Sequence, residues 1–362
     1  MGMRPWPRRS KVRRLEVNPG RHGLSTRLGR PEPAPAFSSR SGHKERAMAA
    51  HSSFAVKRWL PLAALIGIYL SAIAPARGAQ CDMRLSFQQA DGNARGGRTE
   101  VWADANASSL LFVEGLNVNT DGTRRSYSVD DFWGERHALN NLCNAMSDGC
   151  AGLSSAQLRA RRIATQQAAA AGWPADQLRA TRISPSIIPF RNGKPCPPVD
   201  GFLVSATALH APAVNDVCDI ANYVDALVTP ALVIPKRPSA FAGRAKVGDL
   251  AVAMVPGSTR PVFAVIGDSG PSGQLGEASI ALNGRLLGRE APPQNYLEVR
   301  GKRPFVGRGW TVPKAVVLIF PGSGDRAAPF MTPERIDPAA MRRFEAWGGV
   351  ERLSACVADY ER

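Results

Sequence analysis

The stretch that most constrains the fold is residues 262–287, VFAVIGDSGPSGQLGEASIALNGRLL. Its apolar beginning predicts a buried strand that stops near Gly267, so that Asp268 stands where the strand leaves the core. A loop rich in glycine and serine then leads to Glu277, which is predicted to open a helix ending at Gly288. Two carboxylates therefore flank one loop with few bulky side chains. Hydrolysis of a glycosidic bond needs such a pair, one group to protonate the leaving oxygen and one to activate water or attack the sugar.

Each acid also has a simpler explanation when it is taken singly. Asp268 fits a turn cap, and Glu277 fits a helix start, where a negative charge is stabilised by about 0.3–1 kcal/mol. Residues 267–271, GDSGP, also match the nucleophile motif of chymotrypsin-like proteases, with Ser269 as the nucleophile. That chemistry needs a histidine partner, and the two histidines after residue 79 do not lie in the sequence context of those proteases.

The first 79 residues predict an export leader rather than a folded domain. Residues 1–47 hold twelve Lys or Arg against three acids and no periodic apolar pattern, which predicts a disordered basic extension. Residues 48–79 have Lys57 and Arg58, then an apolar run and then small residues, the pattern of a secretory signal peptide. Because residue 48 is a methionine, it is the predicted start, and whether residues 1–47 are translated is left open. The apolar run is too short to predict a stable membrane span.

Removing this leader removes most of the positive charge. The chain carries a formal charge of +16, of which residues 1–47 contribute +9 and residues 48–79 contribute +3. Residues 80–362 therefore carry only +4, and a nucleic-acid partner loses its main support. The mature chain is predicted to be a secreted or periplasmic protein, without stable membrane insertion, that acts as a monomer.

All six cysteines lie after the leader. An even count in an exported chain predicts up to three disulfides, although six cysteines allow fifteen pairings. Cys143 and Cys150 are a natural short loop, and Cys356 is predicted to fasten the C-terminal tail. The sequence has no Cys-x-x-Cys pair and no clustered histidines, so neither a metal site nor a cofactor is predicted.

Short apolar runs separated by turns predict a β-rich α+β fold. Residues 80–200 are predicted to form the N-terminal part of the mature domain, with two helical patches, and residues 201–362 the β-barrel part with the catalytic loop. Helices are predicted over residues 137–146, 154–171, 176–182 and 337–347. Strands are predicted over residues 110–113, 202–206, 231–234, 250–255, 262–266, 296–300 and 316–320. The last six of these strands predict a small six-stranded barrel with peripheral helices, similar to double-psi barrels.

The block around the two acids resembles the active-site segment of glycoside hydrolase family 75, the chitosanases. Members of that family carry a strand ending in Gly-Asp, a Gly-rich loop and Gly-Glu-Ala-Ser-Ile-Ser. Here these are residues 267–268 and 276–280, followed by Ala281 in place of the second serine. The similarity extends over roughly residues 110–325 and is strongest over 203–287. The loop between the acids is several residues shorter than in fungal members, which concerns cleft shape more than catalysis. Further matching segments are TPALVIPK (229–236), VGDLAVAMV (247–255), AVVLIFPGSG (315–324) and NTDGTRRSY (119–127).

The resemblance also implies further residues near the cleft. Asp121 and Tyr127 belong to the segment that looks like the Asp-Gly turn of bacterial relatives, and Asp225 matches a position before the family's apolar strand. Tyr223 offers a flat ring on which a sugar could stack. Each of the four also fits a structural role, as a turn residue or as part of the core.

The resemblance implies an exported endo-acting glycosidase that hydrolyses β-1,4 bonds of chitosan or a partly acetylated relative. It implies inversion at the anomeric carbon, for which the two carboxyl groups should lie roughly 6.5–9.5 Å apart. Glu277 is the predicted general acid and Asp268 the predicted base. Two alternatives stay open: a peptidoglycan-cleaving barrel enzyme that uses one Asp, and a non-catalytic polysaccharide-binding protein of the cell envelope. The mild net charge gives no global attraction for a cationic polymer, which keeps other polysaccharides open.

Overall fold

A computed structural model describes residues 80–92, 96–271 and 273–361. The predicted basic extension, residues 1–47, and the predicted signal peptide, residues 48–79, lie outside the described residues. Within those residues the strands are β1 (Arg84–Ala90), β2 (Arg98–Ala103), β3 (Leu110–Asn119), β4 (Phe190–Arg191), β5 (Lys194–Pro195), β6 (Ala231–Pro235), β7 (Leu250–Met254), β8 (Val262–Gly270), β9 (Glu277–Ser279) and β10 (Val312–Phe320). The helices are α1 (Ser155–Ala170), α2 (Ala175–Thr181), α3 (Ile280–Leu286), α4 (Tyr296–Val299), α5 (Pro333–Trp347) and α6 (Gly349–Tyr360). Short 3₁₀ turns cover Leu142–Ala145 and Ile220–Asn222.

Six of the strands close into a barrel. Their order is β3, β10, β7, β8, β6 and β9, and β9 pairs with β3 to complete the ring. Strand pairs β6–β8 and β3–β9 are parallel, while the other four pairs of the ring are antiparallel. Strands β1 and β2 extend the sheet beyond β3. The predicted fold, a β-rich α+β chain built on a small six-stranded barrel with peripheral helices, is confirmed.

The central strands are apolar on both faces because both faces are buried. Their inward side chains fill the barrel, as Phe112, Ile266 and Val317 do. Their outward side chains on one side are covered by α5 and α6, which contribute Phe344 and Leu353. Strands buried on two faces have near-continuous apolar sequences rather than alternating ones. This explains why β6, β7 and the end of β10 could be predicted from apolar runs alone.

The membership of the barrel differs from the predicted set. Residues 202–206 form no strand, although Leu203 makes an isolated bridge to Tyr127. Residues 296–300 hold the short helix α4, because the Asn295 side chain caps it by accepting the Glu298 N–H. Their places in the ring are taken by β3 and β9, so residues 80–200 and residues 201–362 both contribute to the barrel.

The helices were predicted better than the strands. The predicted helix 154–171 is α1, with Ser154 as its N-cap in a reciprocal capping box with Gln157. The predicted turn 176–182 is α2, and α5 contains the predicted terminal helix. Of the predicted patch 137–146, only a 3₁₀ turn forms. The edge strands β1 and β2 and the last helix, α6, were not predicted.

Three disulfides join the six cysteines: Cys81–Cys356, Cys143–Cys150 and Cys196–Cys218. The short Cys143 loop and the fastening of the tail by Cys356 are therefore confirmed. Disulfides of this number are typical of proteins that fold in an oxidising compartment. None of the helices in the described ranges combines the length and the apolar character that crossing a bilayer requires.

Candidate functional site

Asp268 and Glu277 are held on the two sides of one residue, Val233. In the order β8, β6, β9, Val233 of the central strand pairs with Asp268 on one side and with Glu277 on the other. Their neighbours Leu232 and Ala278 point into the barrel, so Val233 and Glu277 point outward. Two strand spacings place the Cα atoms of the two acids about 10 Å apart. Glu277 therefore lies in a strand, and its predicted position at a helix start is wrong.

The side chain of Glu277 leans back across β6 toward β8. A Cβ atom added to Gly270 would lie 3.6 Å from Glu277 Oε2 and 3.1 Å from the Val233 side chain. Gly270 follows Asp268 by two residues along the same strand, a step of about 7 Å. The Glu277 carboxylate thus lies beside β8, the strand that also carries Asp268.

Both acids line a groove of about 1510 Å³. The groove also receives Asp121 and Tyr127 from the segment after β3, together with Tyr223. Its walls come from segments distant in sequence, chiefly residues 185–190, 206–217 and 268–271. The remaining titratable or basic groups on its surface are His210, Lys236 and Arg326.

Asp268 is bound through one oxygen. Its Oδ1 accepts the backbone N–H groups of Ala208 and Ser269, each at 2.8 Å. The pKa of Asp268 is raised to about 7, chiefly by burial and then by the negative charges of Asp121 and Glu277, against the lowering effect of the two hydrogen bonds. A carboxyl group in these surroundings holds its proton near neutral pH and can donate it.

Glu277 has a different balance of neighbours. Burial raises the pKa of Glu277, and the charge of Asp121 adds to this rise. A hydrogen bond from the Asn119 side chain and the positive charge of Arg300 act in the opposite direction and favour the ionised carboxylate. Both acids accept hydrogen bonds, but Glu277 is the one whose carboxylate is also stabilised by a cation, Arg300.

Asp121 is a third carboxylate on the same groove. Its Oδ1 accepts the Tyr127 hydroxyl at 2.8 Å and the Ser205 hydroxyl at 3.0 Å. Burial raises the pKa of Asp121 to about 6, and these two hydrogen bonds limit the rise. The turn depends on Gly122, whose φ is +85° and whose missing Cβ would stand 1.9 Å from the Val224 carbonyl oxygen. A side chain at that position has no room, so the tight turn that presents Asp121 requires glycine.

Tyr127 and Tyr223 line the groove, but their rings are almost completely buried. Tyr127 is 1% exposed, and its hydroxyl accepts the Asn140 side-chain N–H while it donates to Asp121. Tyr223 is 7% exposed, donates its hydroxyl to the Val217 carbonyl and meets His210 edge-on. Both side chains therefore support the walls of the groove, and neither offers an open ring face for stacking.

Asp225 is not brought to the groove. Its carboxylate accepts the Leu227 N–H at 2.9 Å and a hydrogen bond from the Thr123 side chain. Burial raises the pKa of Asp225 against these bonds. Asp225 thus serves as a turn residue before β6, one of the two roles that its sequence position allows.

Two residues of the site were missed by sequence reasoning. Asn119 accepts the Asp121 N–H on its Oδ1 at 2.8 Å and also hydrogen-bonds Glu277, so it joins two of the acids. Its place in an Asn-x-Asp-Gly turn was a signal that could have been used. Ser205 reaches Asp121 from 84 residues away in sequence, and no local pattern indicates such a contact.

The acids do not form a metal centre. Across the described ranges, no group of three or more His, Cys, Asp or Glu side chains is arranged to hold a metal ion. Carboxyl groups in these positions can transfer protons to and from a bound substrate or water.

No model of a known protein family matches this chain, and none of the curated proteins matches it either. The likeness to family 75 thus remains an expectation from the motif residues. What the groove does has to be argued from its own geometry.

Proposed function

We propose that this protein is an exported glycoside hydrolase that cleaves internal β-1,4 linkages of chitosan or a partly acetylated relative. The observation that supports it is the pair Asp268 and Glu277, fixed on either side of Val233 and facing one groove. Glycosidases use two carboxyl groups on opposite sides of the scissile bond. The groove also exceeds the about 300–1,000 Å³ of a small-molecule pocket, as an extended polymer requires.

Asp268 is the better candidate for the general acid and Glu277 for the base. A general acid must keep its proton near the working pH, and burial and neighbouring charge raise the pKa of Asp268 to about 7. Glu277, which has Asn119 and Arg300 to support its ionised form, can take a proton from water. This assignment reverses the sequence expectation, in which Glu277 was the general acid and Asp268 the base.

We propose inversion at the anomeric carbon, as the resemblance to family 75 implies. An inverting pair leaves room for one water between the base and the sugar, with carboxyl groups about 6.5–9.5 Å apart, whereas a retaining pair is only about 5–5.5 Å apart. The strand positions place the Cα atoms of the two acids about 10 Å apart, and the stereochemistry of the product distinguishes the two classes. In the reaction, the Asp268 proton passes to the leaving oxygen while Glu277 takes a proton from the attacking water.

The acidic residues of the groove suit a cationic polymer such as chitosan better than the net charge of the chain does. Its glucosamine units carry ammonium groups, and the groove gathers the carboxylates Asp121, Asp268 and Glu277. These supply a local attraction that the +4 of residues 80–362 does not. Export, implied by the predicted leader, agrees with three disulfides and with a polymeric substrate outside the cell.

The test is hydrolysis of chitosan by the purified protein, followed by the release of reducing ends. We expect Asp268→Asn and Glu277→Gln each to lower turnover by about 10²–10⁴-fold, the usual contribution of a positioned acid or base. Asp130→Asn, the same change at an exposed position outside the groove, should leave turnover unchanged. Proton NMR of the first product should show the inverted anomer. Full activity in either active-site variant would contradict the two-carboxylate mechanism.

A second candidate is a peptidoglycan-cleaving enzyme that uses Asp268 alone. It is favoured by the pKa of Asp268, raised to about 7, because a single carboxyl group that holds a proton can serve as an acid without a partner. In that case Glu277→Gln would keep most activity, peptidoglycan would be cleaved and chitosan would not. Equal sugar binding by all variants without any new reducing ends would instead indicate a binding protein.

A further inference from the structure

Asp121 is more firmly built into the groove than a loop residue that only contacts a ligand. Both hydroxyl donors, from Tyr127 and Ser205, bind the same oxygen, Oδ1. Tyr127 is itself held by Asn140, and Ser205 also accepts the Gly122 N–H at 3.3 Å. The orientation of this carboxylate is therefore fixed from two sides before any substrate binds.

Asn119 connects Asp121 to Glu277. Its Oδ1 accepts the backbone N–H of Asp121 at 2.8 Å, and its side chain donates a hydrogen bond to the Glu277 carboxylate. The side-chain amide can make both bonds only in one orientation, since its oxygen accepts and its nitrogen donates. The turn that carries Asp121 thus also sets the position of the Glu277 carboxylate.

The charge of Asp121 is not balanced by a cation. None of the three groove acids takes part in an ion pair within residues 80–92, 96–271 and 273–361. The titratable groups that act on one another here are Asp121, Asp268, Glu277 and Tyr127. Arg300 acts on Glu277, while His210, Lys236 and Arg326 lie on the groove surface. An unpaired carboxylate in a partly buried site acts strongly on neighbours of the same sign.

We propose that Asp121 is a positioning residue: its oriented, unpaired charge holds the proton on Asp268, and its turn holds Glu277 through Asn119, so that it determines which carboxyl group donates. This proposal rests on the proposed function. It gives Asp121 a role other than the sugar contact that the sequence suggested.

The order of the ionisations supports this role. The pKa of Asp121 is raised to about 6 and that of Asp268 to about 7. Burial is the largest cause of the rise at Asp268, and the charge of Asp121 is the next largest. Carboxyl groups that interact in this way titrate as a coupled system.

The experiment compares Asp121→Asn with Ser205→Ala. The first removes the charge and keeps the shape, whereas the second removes one anchoring hydrogen bond and keeps the charge. Carboxyl ¹³C NMR follows the titration of Asp268, and kcat and KM on chitosan are measured from pH 4 to pH 9. In Asp121→Asn we expect the pKa of Asp268 to fall by roughly one unit. The alkaline limb of kcat/KM should move by the same amount, with little change in KM, and Ser205→Ala should not show this shift.

An unmoved Asp268 titration in Asp121→Asn, with a higher KM, would overturn the proposal and return Asp121 to substrate binding. If Asp121→Asn does not fold, the wild-type titration decides, because coupling requires Asp268 to respond in two steps and a single step would overturn it. A shifted titration in a protein that releases no reducing ends would leave the positioning role standing and remove the proposed function.

Discussion

Asp268 occupies surroundings that oppose its charge. Burial acts against the ionised carboxylate, and Asp121 and Glu277 add two negative neighbours. Its folded-state pKa of about 7 lies far above the about 3.9 of an aspartate in an unfolded chain. The folded protein therefore binds this proton more tightly than the unfolded chain, and stability is lost as the pH rises from about 4 through about 7.

We expect Asp268→Asn to be more stable than the wild type at pH 8 and nearly equal to it at pH 4. The amide keeps an oxygen for the two backbone N–H donors and carries no charge at either pH. The gain at pH 8 should be about 1–2 kcal/mol in the free energy of unfolding, since groove water screens part of the effect. Urea unfolding at both pH values measures it, with Asp130→Asn as a variant that should change neither. Lower stability at pH 8 would mean that the charge is better solvated than its surroundings indicate.

The site residues that belong to a short sequence motif could be predicted from the sequence. Asp268 and Glu277 follow from one Gly-rich segment, and Asp121 and Tyr127 from another. The roles of the tyrosines were not predictable, because whether a ring faces a groove or a core depends on packing against distant residues. Ser205 shows the same limit, since its contact with Asp121 spans 84 residues.

At the scale of elements, one side chain joins β9, the strand that carries Glu277, to its neighbours. Ser279 ends β9 and caps α3, accepting the Leu282 N–H at 3.1 Å. The same Oγ accepts the Ala231 N–H of β6 and donates to the Thr229 carbonyl, both at 2.9 Å. A buried hydroxyl with three partners holds β6, β9 and α3 in one arrangement two residues from Glu277.

Ser279→Ala should cost about 2–4 kcal/mol in the free energy of unfolding. Part is a lost helix cap of about 1 kcal/mol, and the rest comes from buried N–H groups left without an acceptor. Ser154→Ala, which removes the exposed cap of α1, should cost only about 1 kcal/mol. Thermal or urea unfolding of the two variants gives the comparison. Equal losses would indicate that the loops around Ser279 relax to satisfy the freed groups.

Elements with strong local signals were predicted, and elements defined by tertiary pairing were not. The capping box and the alanine-rich run of α1 act within one turn of chain. By contrast, β9 has three residues and exists because β3 and β6 pair with it on either side. The residues of α4 are apolar and aromatic like those of a strand, and its cap, Asn295, decided the outcome. The number of barrel strands was therefore predicted correctly while two of its members were not.

For the whole molecule, the Cys81–Cys356 disulfide closes a loop with a sequence separation of 275 residues. It ties the segment before β1 to α6, and both belong to the apolar layer that α5 and α6 form outside the barrel. The Cys143–Cys150 bond spans a separation of only 7 residues. The loss of chain entropy on closing a loop grows with its length, so the two bonds should differ in their effect on stability.

Replacing Cys81 and Cys356 together by serine should lower the free energy of unfolding by about 5–6 kcal/mol, as the chain-entropy relation gives for such a loop. The same change at Cys143 and Cys150 should lower it by about 2–3 kcal/mol. Urea unfolding of both double variants, with the other disulfides verified by mass spectrometry, measures the difference. A larger loss at the short loop would show that local packing, rather than loop length, determines the contribution of these bonds.

The position of Val233 between the two acids has a consequence for how proteins with this groove could diversify. The gap between Asp268 and Glu277 is set by the width of a single intervening strand, and not by the chain that connects them. Insertions or deletions in residues 271–276 would then remodel the rim of the trough while leaving the reacting groups in place. Changes in the length of that connection could therefore alter which polymer is bound while the positions of the two carboxyl groups stay the same.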